Sequence, residues 1–397
     1  MTMVSLFRRV VERTDLDDCY SISDLREVAL RRLPGPIFDF LDGGAETETT
    51  SRGNTIAFDE LKLVARCLVD VASVKTSTSI LGQEVEWPVF CSPTGASRLF
   101  HPEGELAVAR AAASTGTLYG AATGSTYCLE DLALACKGPK LFLLYPYKDR
   151  DITWELIDRC KRAGYPALCL MVDVPAIGKR ERDLRSGFST WAKPSVSRFM
   201  SVARHPIWAL GQLRKGPIAL ANFSNRGANA GAISELDPSI TWRDVREIMD
   251  RWGGPFALKG VMSVQDARRA AEIGVGGVIV SNHGGRQLDG AAAPIEVLPD
   301  IVQAVGDRTE VILDGGIRRG VHVLKALACG AKACSIGRPY LYGLSAGGEA
   351  GVCRALEILR SELVLAMKLS GCPDIQNIDR TLIRHHRAAV SPEAYVR

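Results

Sequence analysis

The chain has 397 residues, 46% hydrophobic and 24% charged, with a formal net charge of +4. These are the proportions of a globular protein large enough for one big domain or two ordinary ones. So small a charge gives no reason to expect nucleic acid as a partner.

At the N-terminus, Met1 to Cys19 is broken by Arg8, Arg9, Glu12, Arg13, Asp15, Asp17 and Asp18, so it has no signal-type apolar core. Helices are expected near 23–32 and 36–41, within a helical lead-in of about 60 residues. From residue 87 onward, strand-like runs alternate with helix-like stretches. Strands are expected at 88–92, 117–121, 140–145, 167–172, 255–259, 277–281, 310–313 and 332–336. The clearest helices are 105–115, 152–163, 264–273, 295–305, 321–328 and 348–369. Gly116, Gly164, Gly274, Gly306 and Gly330 stand where helices should stop. Eight β-α units predict a closed (β/α)8 TIM barrel, carried by 61–397 within a single domain of 1–397. The alternative is a doubly wound open sheet, but its Gly-x-Gly-x-x-Gly turn is missing.

Between the fourth and fifth strands lies an insertion, 185–240, far longer than a β-α loop. From Lys193 to Arg226 it mixes Arg198, Arg204, Arg214 and Lys215 with Phe199, Met200, Ile207, Trp208, Leu210 and Leu213, and Trp191 stands just before it. It reads either as a mobile lid packed on the barrel mouth or as a segment lying in a membrane interface. No apolar run approaches the length of a spanning helix, and a cytoplasmic protein, or one peripheral on the inner membrane face, is expected. Eleven cysteines, an odd number without a Cys-x-x-Cys pair, argue against a disulfide frame or a metal site. Cys91, Cys169 and Cys334 sit in apolar runs and read as small buried hydrophobes.

The chemistry concentrates at the ends of the predicted strands. After the sixth comes Ser281-Asn282-His283-Gly284-Gly285-Arg286-Gln287-Leu288-Asp289-Gly290. Histidine exchanges a proton near neutral pH, and arginine presents a planar fork of donors to a carboxylate. Strand seven ends in Asp314-Gly315-Gly316-Ile317-Arg318-Arg319-Gly320 and strand eight in Ile336-Gly337-Arg338-Pro339. Glycine turns with nearby arginines after strands seven and eight suit a phosphate. Strand five delivers Lys259, strand four Asp173 with Arg180 beyond it, strand three Tyr145, and strand one Pro93-Thr94-Gly95.

Over nearly its whole length the chain resembles the FMN-dependent 2-hydroxy-acid dehydrogenase and oxidase family. Phe38 to Glu46, Asn54, Phe58, Pro93 to Gly95, His101 to Glu105, Val172 to Pro175, Ser281 to Gly290, Asp314 to Gly320 and Gly337 to Pro339 carry the match. The resemblance implies FMN as cofactor, a 2-hydroxy acid as substrate, and a quinone, another carrier or oxygen as electron acceptor. It implies His283 as base with Asp173 as its partner, and Arg180, Arg286 and Tyr145, with Phe40, around the substrate. Lys259 would stabilise reduced flavin, Pro93, Thr94 and Gly95 would line its ring, and Ser281 would belong to the cofactor site. Asp314 would hold the ribityl chain, and Gly315, Gly316, Arg318, Gly337 and Arg338 the phosphate end. It also implies a homo-oligomer, commonly a tetramer.

Three positions depart from the family pattern. Phe40 replaces a tyrosine, Leu143 a glutamine and Met171 a threonine, which makes the site more apolar. Gly95 matches mandelate and bacterial lactate dehydrogenases, which favours a dehydrogenase with an acceptor other than oxygen. Gly124 stands where short-chain enzymes have tryptophan, which leaves room for a bulky substrate. Oxidation of an amine or a modified peptide on the same scaffold is the alternative.

Overall fold

A computed structural model describes residues 16–188, 196–223 and 235–385. Trp191, Lys193 and Arg226 lie outside the described residues. Eight parallel strands close into a barrel: β1 (Val89–Cys91), β2 (Tyr119–Ala122), β3 (Lys140–Leu144), β4 (Ala167–Met171), β5 (Phe256–Val261), β6 (Gly277–Val280), β7 (Glu310–Asp314) and β8 (Ala333–Ile336). Each pairs with the next, and β8 closes on β1 through Cys334–Val89 and Ile336–Cys91. The strands are continuous apolar runs because both faces are buried, one in the barrel and one under helices. The expected barrel is therefore present, and the open sheet is not.

Helices α1 (Ile22–Arg32), α2 (Gly35–Asp42) and α3 (Thr49–Ile56) form the lead-in. Ser21 caps α1 in a reciprocal capping box with Asp24. Around the barrel follow α4 (Gly104–Ser114), α5 (Leu129–Ala135), α6 (Arg150–Arg162), α7 (Glu181–Ser186), α8 (Val196–Ala203), α9 (Pro206–Lys215), α10 (Trp242–Trp252), α11 (Val264–Glu272), α12 (Pro294–Val305), α13 (Gly320–Ala328) and α14 (Arg338–Leu369). Five of these, α5, α7, α8, α9 and α10, are not among the clearest sequence helices. For α10 the signal existed, since Thr241 and Asp244 make a capping box before a strongly amphipathic turn. Helix α14 breaks at Gly347 and Gly348, so the expected helix from 348 is its second half. Gly306 follows α12 with φ −64° and is an ordinary right-handed residue, unlike the other four predicted stops.

Strand β5 runs two residues past the expected end at Lys259, through an irregularity between Lys259 and Val261. Gly260 sits there at φ +109°, and a Cβ on it would lie 2.6 Å from Asp173. The bulge therefore exists where only a glycine leaves room for that carboxylate.

The lead-in is pinned to the barrel mouth through Asp42. Arg26 donates to both its oxygens at 2.7 and 2.8 Å, Arg182 at 2.9 Å and the Tyr342 hydroxyl at 2.7 Å. One carboxylate thus ties α1, α2, the segment after β4, and α14. In the insertion, α9 is clasped to the turn after β1. Trp208 Nε1 donates to the Leu99 carbonyl at 2.7 Å, Gln212 to that of Arg98 at 2.5 Å, and Arg98 reaches back to Gly216 at 2.8 Å. The outer face of α9 exposes Ile207, Leu210 and Leu213. The insertion therefore divides its apolar residues, with Leu220 and Leu236 on the cavity at the mouth and Ile207, Leu210 and Leu213 of α9 facing outward. No helix among the described residues is long and apolar enough to cross a membrane.

Burial opposes the charge on Asp42, but its bonds to Arg26, Tyr342 and Arg182 win and hold its carboxyl well below the usual range. That contribution is complete above the unfolded value, about 4, and is lost as pH falls toward the lower folded value. Asp42→Asn should lower stability by about 3 kcal/mol at pH 7 and flatten the loss of stability below about pH 4, measured by urea unfolding across pH.

Candidate active site

At the C-terminal mouth of the barrel, β5, β6, β7 and β8 contribute one buried polar cluster. Lys259 Nζ donates to Asp314 Oδ2 at 2.6 Å and to Ser281 Oγ at 3.0 Å. Ser281 and Ser335 each donate to Asp314 at 2.7 Å. Burial works against the ammonium, but Asp314 and Asp173 outweigh it, so the pKa of Lys259 is raised. Asp314 is likewise opposed by burial yet held low by Lys259 and the serines. The pair is charged, and the cation stays fixed beneath the mouth.

Three residues past β6, His283 takes the left-handed region at φ +59°, unusual for a residue with a side chain. Its N–H donates to Ser281 Oγ at 3.1 Å, and its Nδ1 meets Asp173 at 3.1 and 3.2 Å. Histidine, aspartate and lysine are therefore joined through Ser281. Arg286, three residues on, donates to the carbonyls of Phe40 at 2.7 Å and Gly43 at 2.8 Å, with its guanidinium 5.0 Å over the Phe40 ring. Phe40 thus offers a flat support for Arg286, stacked in turn on Phe188.

All of this surrounds a cavity of about 340 Å³. Phe40, Pro93, Thr94, Gly95, Tyr145, Arg180, Lys259, His283, Arg286, Asp314, Gly315, Gly316, Arg318, Gly337 and Arg338 line it, as the sequence positions implied. Asp173 and Ser281 stand behind that lining and act on it through His283 and Lys259. Met171 lines the cavity, whereas Leu143 is fully buried and does not. Burial pushes the Tyr145 hydroxyl up to about 12, with Asp173 adding to it, so this phenol stays protonated.

A family model described as FMN-dependent dehydrogenase matches residues 29–385. The chain belongs to that family. A peroxisomal (S)-2-hydroxyacid oxidase of Arabidopsis thaliana is 39% identical over 369 residues, 93% of this chain and 97% of its own. An L-lactate oxidase of a Nostoc species is 41% identical over 378 residues, 93% of this chain and 99% of its own. Among solved structures, a monotopic membrane protein, (S)-mandelate dehydrogenase, superposes with a TM-score of 0.89 at 35% identity, covering 93% of this chain and 100% of that one.

Family members use FMN, and the cavity suits an anionic flat ligand. Burial, then repulsion from Arg180 and Arg338, pulls the Arg286 pKa far down. Arg180 and Arg318 are also depressed, first by burial, with Arg338 a repelling neighbour of both. Among the described residues, the Nε atoms of Arg180 and Arg338 are buried without a partner. Of the nearby carboxylates, Asp314 is committed to Lys259 and Asp173 to His283, which leaves the buried Asp183 facing Arg180, Arg182 and Arg286 together. A phosphate and a carboxylate would satisfy these donors and relieve the repulsion. Arg338, expected at the phosphate end, donates to the carbonyls of Gly284 at 2.9 Å and Gly43 at 2.7 Å, sharing the latter with Arg286.

Sequence reasoning missed several supports. Asn54 and Asn282 exchange amide hydrogen bonds of 2.8 and 2.7 Å, tying α3 to the His283 turn. Tyr340 donates to the Ser92 carbonyl at 2.8 Å, so Thr94 is the donor in their 2.6 Å contact. A polar residue at a predicted buried strand end was the available signal for Ser335. Lys259→Met would leave Asp314 without its cation and should cost about 3–5 kcal/mol in urea unfolding, and adding Asp314→Asn should recover part of that loss.

Proposed function

We propose that this protein uses FMN to oxidise a 2-hydroxy acid bearing a bulky apolar side chain to the 2-oxo acid. The observation that carries this reading is the His283–Asp173 pair set beside two half-buried arginines, Arg180 and Arg286, on one cavity. With Nδ1 held by Asp173, Nε2 is the ring nitrogen left to take the substrate hydroxyl proton. Asp173 fixes that orientation and stabilises the imidazolium that results. Arg180 and Arg286 hold the carboxylate, with Tyr145 and Phe40 beside them, and favour a carboxylic acid over an amine. FMN, when bound, supplies the two-electron oxidation as the bond between carbon 2 and its hydrogen breaks. Lys259 provides the cation for negative charge developing on the cofactor. Pro93, Thr94 and Gly95 would line its ring, Asp314, Gly315 and Gly316 its chain, and Arg318, Gly337 and Arg338 its phosphate.

Phe100, Ala122, Gly124, Ile177, Leu220 and Leu236 supply the apolar side of the cavity, which supports a large side chain. Anaerobic addition of an aromatic or long-chain 2-hydroxy acid should bleach the flavin, at a kcat/KM well above that for glycolate. His283→Ala should keep the yellow colour and slow reduction by about 10²–10⁴-fold. Faster turnover of glycolate would overturn the side-chain assignment alone, and failure of every hydroxy acid would overturn the whole reading.

The proposal extends to an acceptor other than oxygen, a quinone or similar carrier, and to peripheral membrane contact through α9. Gly95 and the exposed leucines of α9 support it, with Arg204, Arg214 and Lys215 at hand for anionic headgroups. The membrane-bound (S)-mandelate dehydrogenase relative fits this picture. The protein should sediment with anionic vesicles, and Leu210→Glu with Leu213→Glu should leave it in the supernatant with turnover unchanged.

A further inference from the structure

One buried carboxylate has no part in the chemistry above. Glu105, in the first turn of α4, is 1% exposed. Its Oε1 accepts from the backbone N–H of Ser97 at 2.8 Å and of Thr126 at 3.1 Å, while its Oε2 accepts from the Thr126 hydroxyl. Burial raises its pKa, and the opposing influences are hydrogen bonds, with no cation among them. A buried acid held by donors alone is a costly choice for a purely structural position.

Ser97 begins the turn after β1, and Thr126 lies in the loop after β2. These two loops meet at the cavity wall. The Ala96 N–H donates to the Gly124 carbonyl at 2.9 Å. A Cβ on Gly95 would lie 2.6 Å from that same oxygen. Gly95 and Gly124 both line the cavity. The two loops thus form a flat backbone wall with no side chain at its seam, and Glu105 binds both from behind. The neighbouring turn, Ser97–Leu99, is also the one gripped by α9 through Trp208 and Gln212. Without a tie to the loop after β2, the first loop would be fixed to the insertion more firmly than to the site.

We propose that Glu105 is a positioning residue, whose clasp on Ser97 and Thr126 sets the Gly95–Gly124 wall against which the cofactor ring lies. The inference rests on the FMN reading of the cavity. It is the clasp, not the charge, that acts. A glutamine can keep every bond, its Oε1 accepting from both N–H groups and its Nε2 donating to Thr126 Oγ1. A leucine would keep the volume and orphan both donors.

The test is FMN binding to the apo-protein, followed by quenching of flavin fluorescence, with thermal melts to confirm folding. Glu105→Leu should weaken FMN binding by about tenfold or more, Thr126→Val by about threefold, and Glu105→Gln by less than about twofold. The absorption band of the bound flavin should shift in Glu105→Leu and return in Glu105→Gln. Unchanged binding in a folded Glu105→Leu overturns the proposal, as does Glu105→Gln weakening binding as much as leucine does. If the leucine variant does not fold, unchanged binding by Thr126→Val overturns it. Failure of the unsubstituted protein to bind FMN would instead sink the cofactor reading itself.

Discussion

A lysine ammonium held inside the barrel mouth is the constraint around which the rest is arranged. Lys259 sits in the fifth strand where water cannot solvate it, so it needs a carboxylate from another strand. Asp314 supplies it, and serines from two more strands complete the shell. Four strands therefore meet at one polar point within an otherwise apolar core. Ser281 carries the arrangement outward, because its oxygen also accepts from the His283 backbone. The left-handed turn of that histidine is thereby fixed by the same group that neighbours the lysine. Strain at His283 is offset by the rigidity of the cluster below it.

Above that point the cavity has more cations than available anions. In a protein without a charged ligand this would be an unstable arrangement, since buried guanidinium groups repel one another and lose their water. Arg338 repels Arg180, Arg286 and Arg318 alike, so the cations of the cavity form one electrostatic problem. The apolar substitutions are consistent with this division. Met171 is an apolar part of the wall, and Phe40 carries Arg286 on its ring. The cationic donors remain, and the surface around them is less polar.

Much of this was legible in the amino-acid order. Strand positions followed from runs buried on both faces, and nearly every proposed cavity residue lies at a strand end because the barrel brings those ends together. What escaped was set by contacts distant in sequence. Asn54 and Asn282 recognise each other only once α3 covers the sixth strand end. The length of β5 escaped because its extension is a bulge, and the reason for the bulge, room for Asp173, comes from the neighbouring strand. Glu105 looked like an ordinary first-turn acid of a helix, and only the packed loops show what it holds. The α9 leucines could be read as lid or as interface, and their pattern alone did not say which face Trp208 would turn inward.

The lead-in packs on the end of the chain. Ile22, Leu25 and Val28 of α1 belong to the buried core where α1 meets α14, and Leu61–Leu63 pairs antiparallel with Ile383–His385. The apolar face of α1 therefore lacks its main packing partner until α14 has been made. On the ribosome, that apolar face has to be shielded or transiently satisfied for most of synthesis. Asn54 and Asp42, which brace the mouth, belong to this waiting segment. The bracing of the mouth through Asp42 and Asn54 is therefore settled late in synthesis, once α14 is in place.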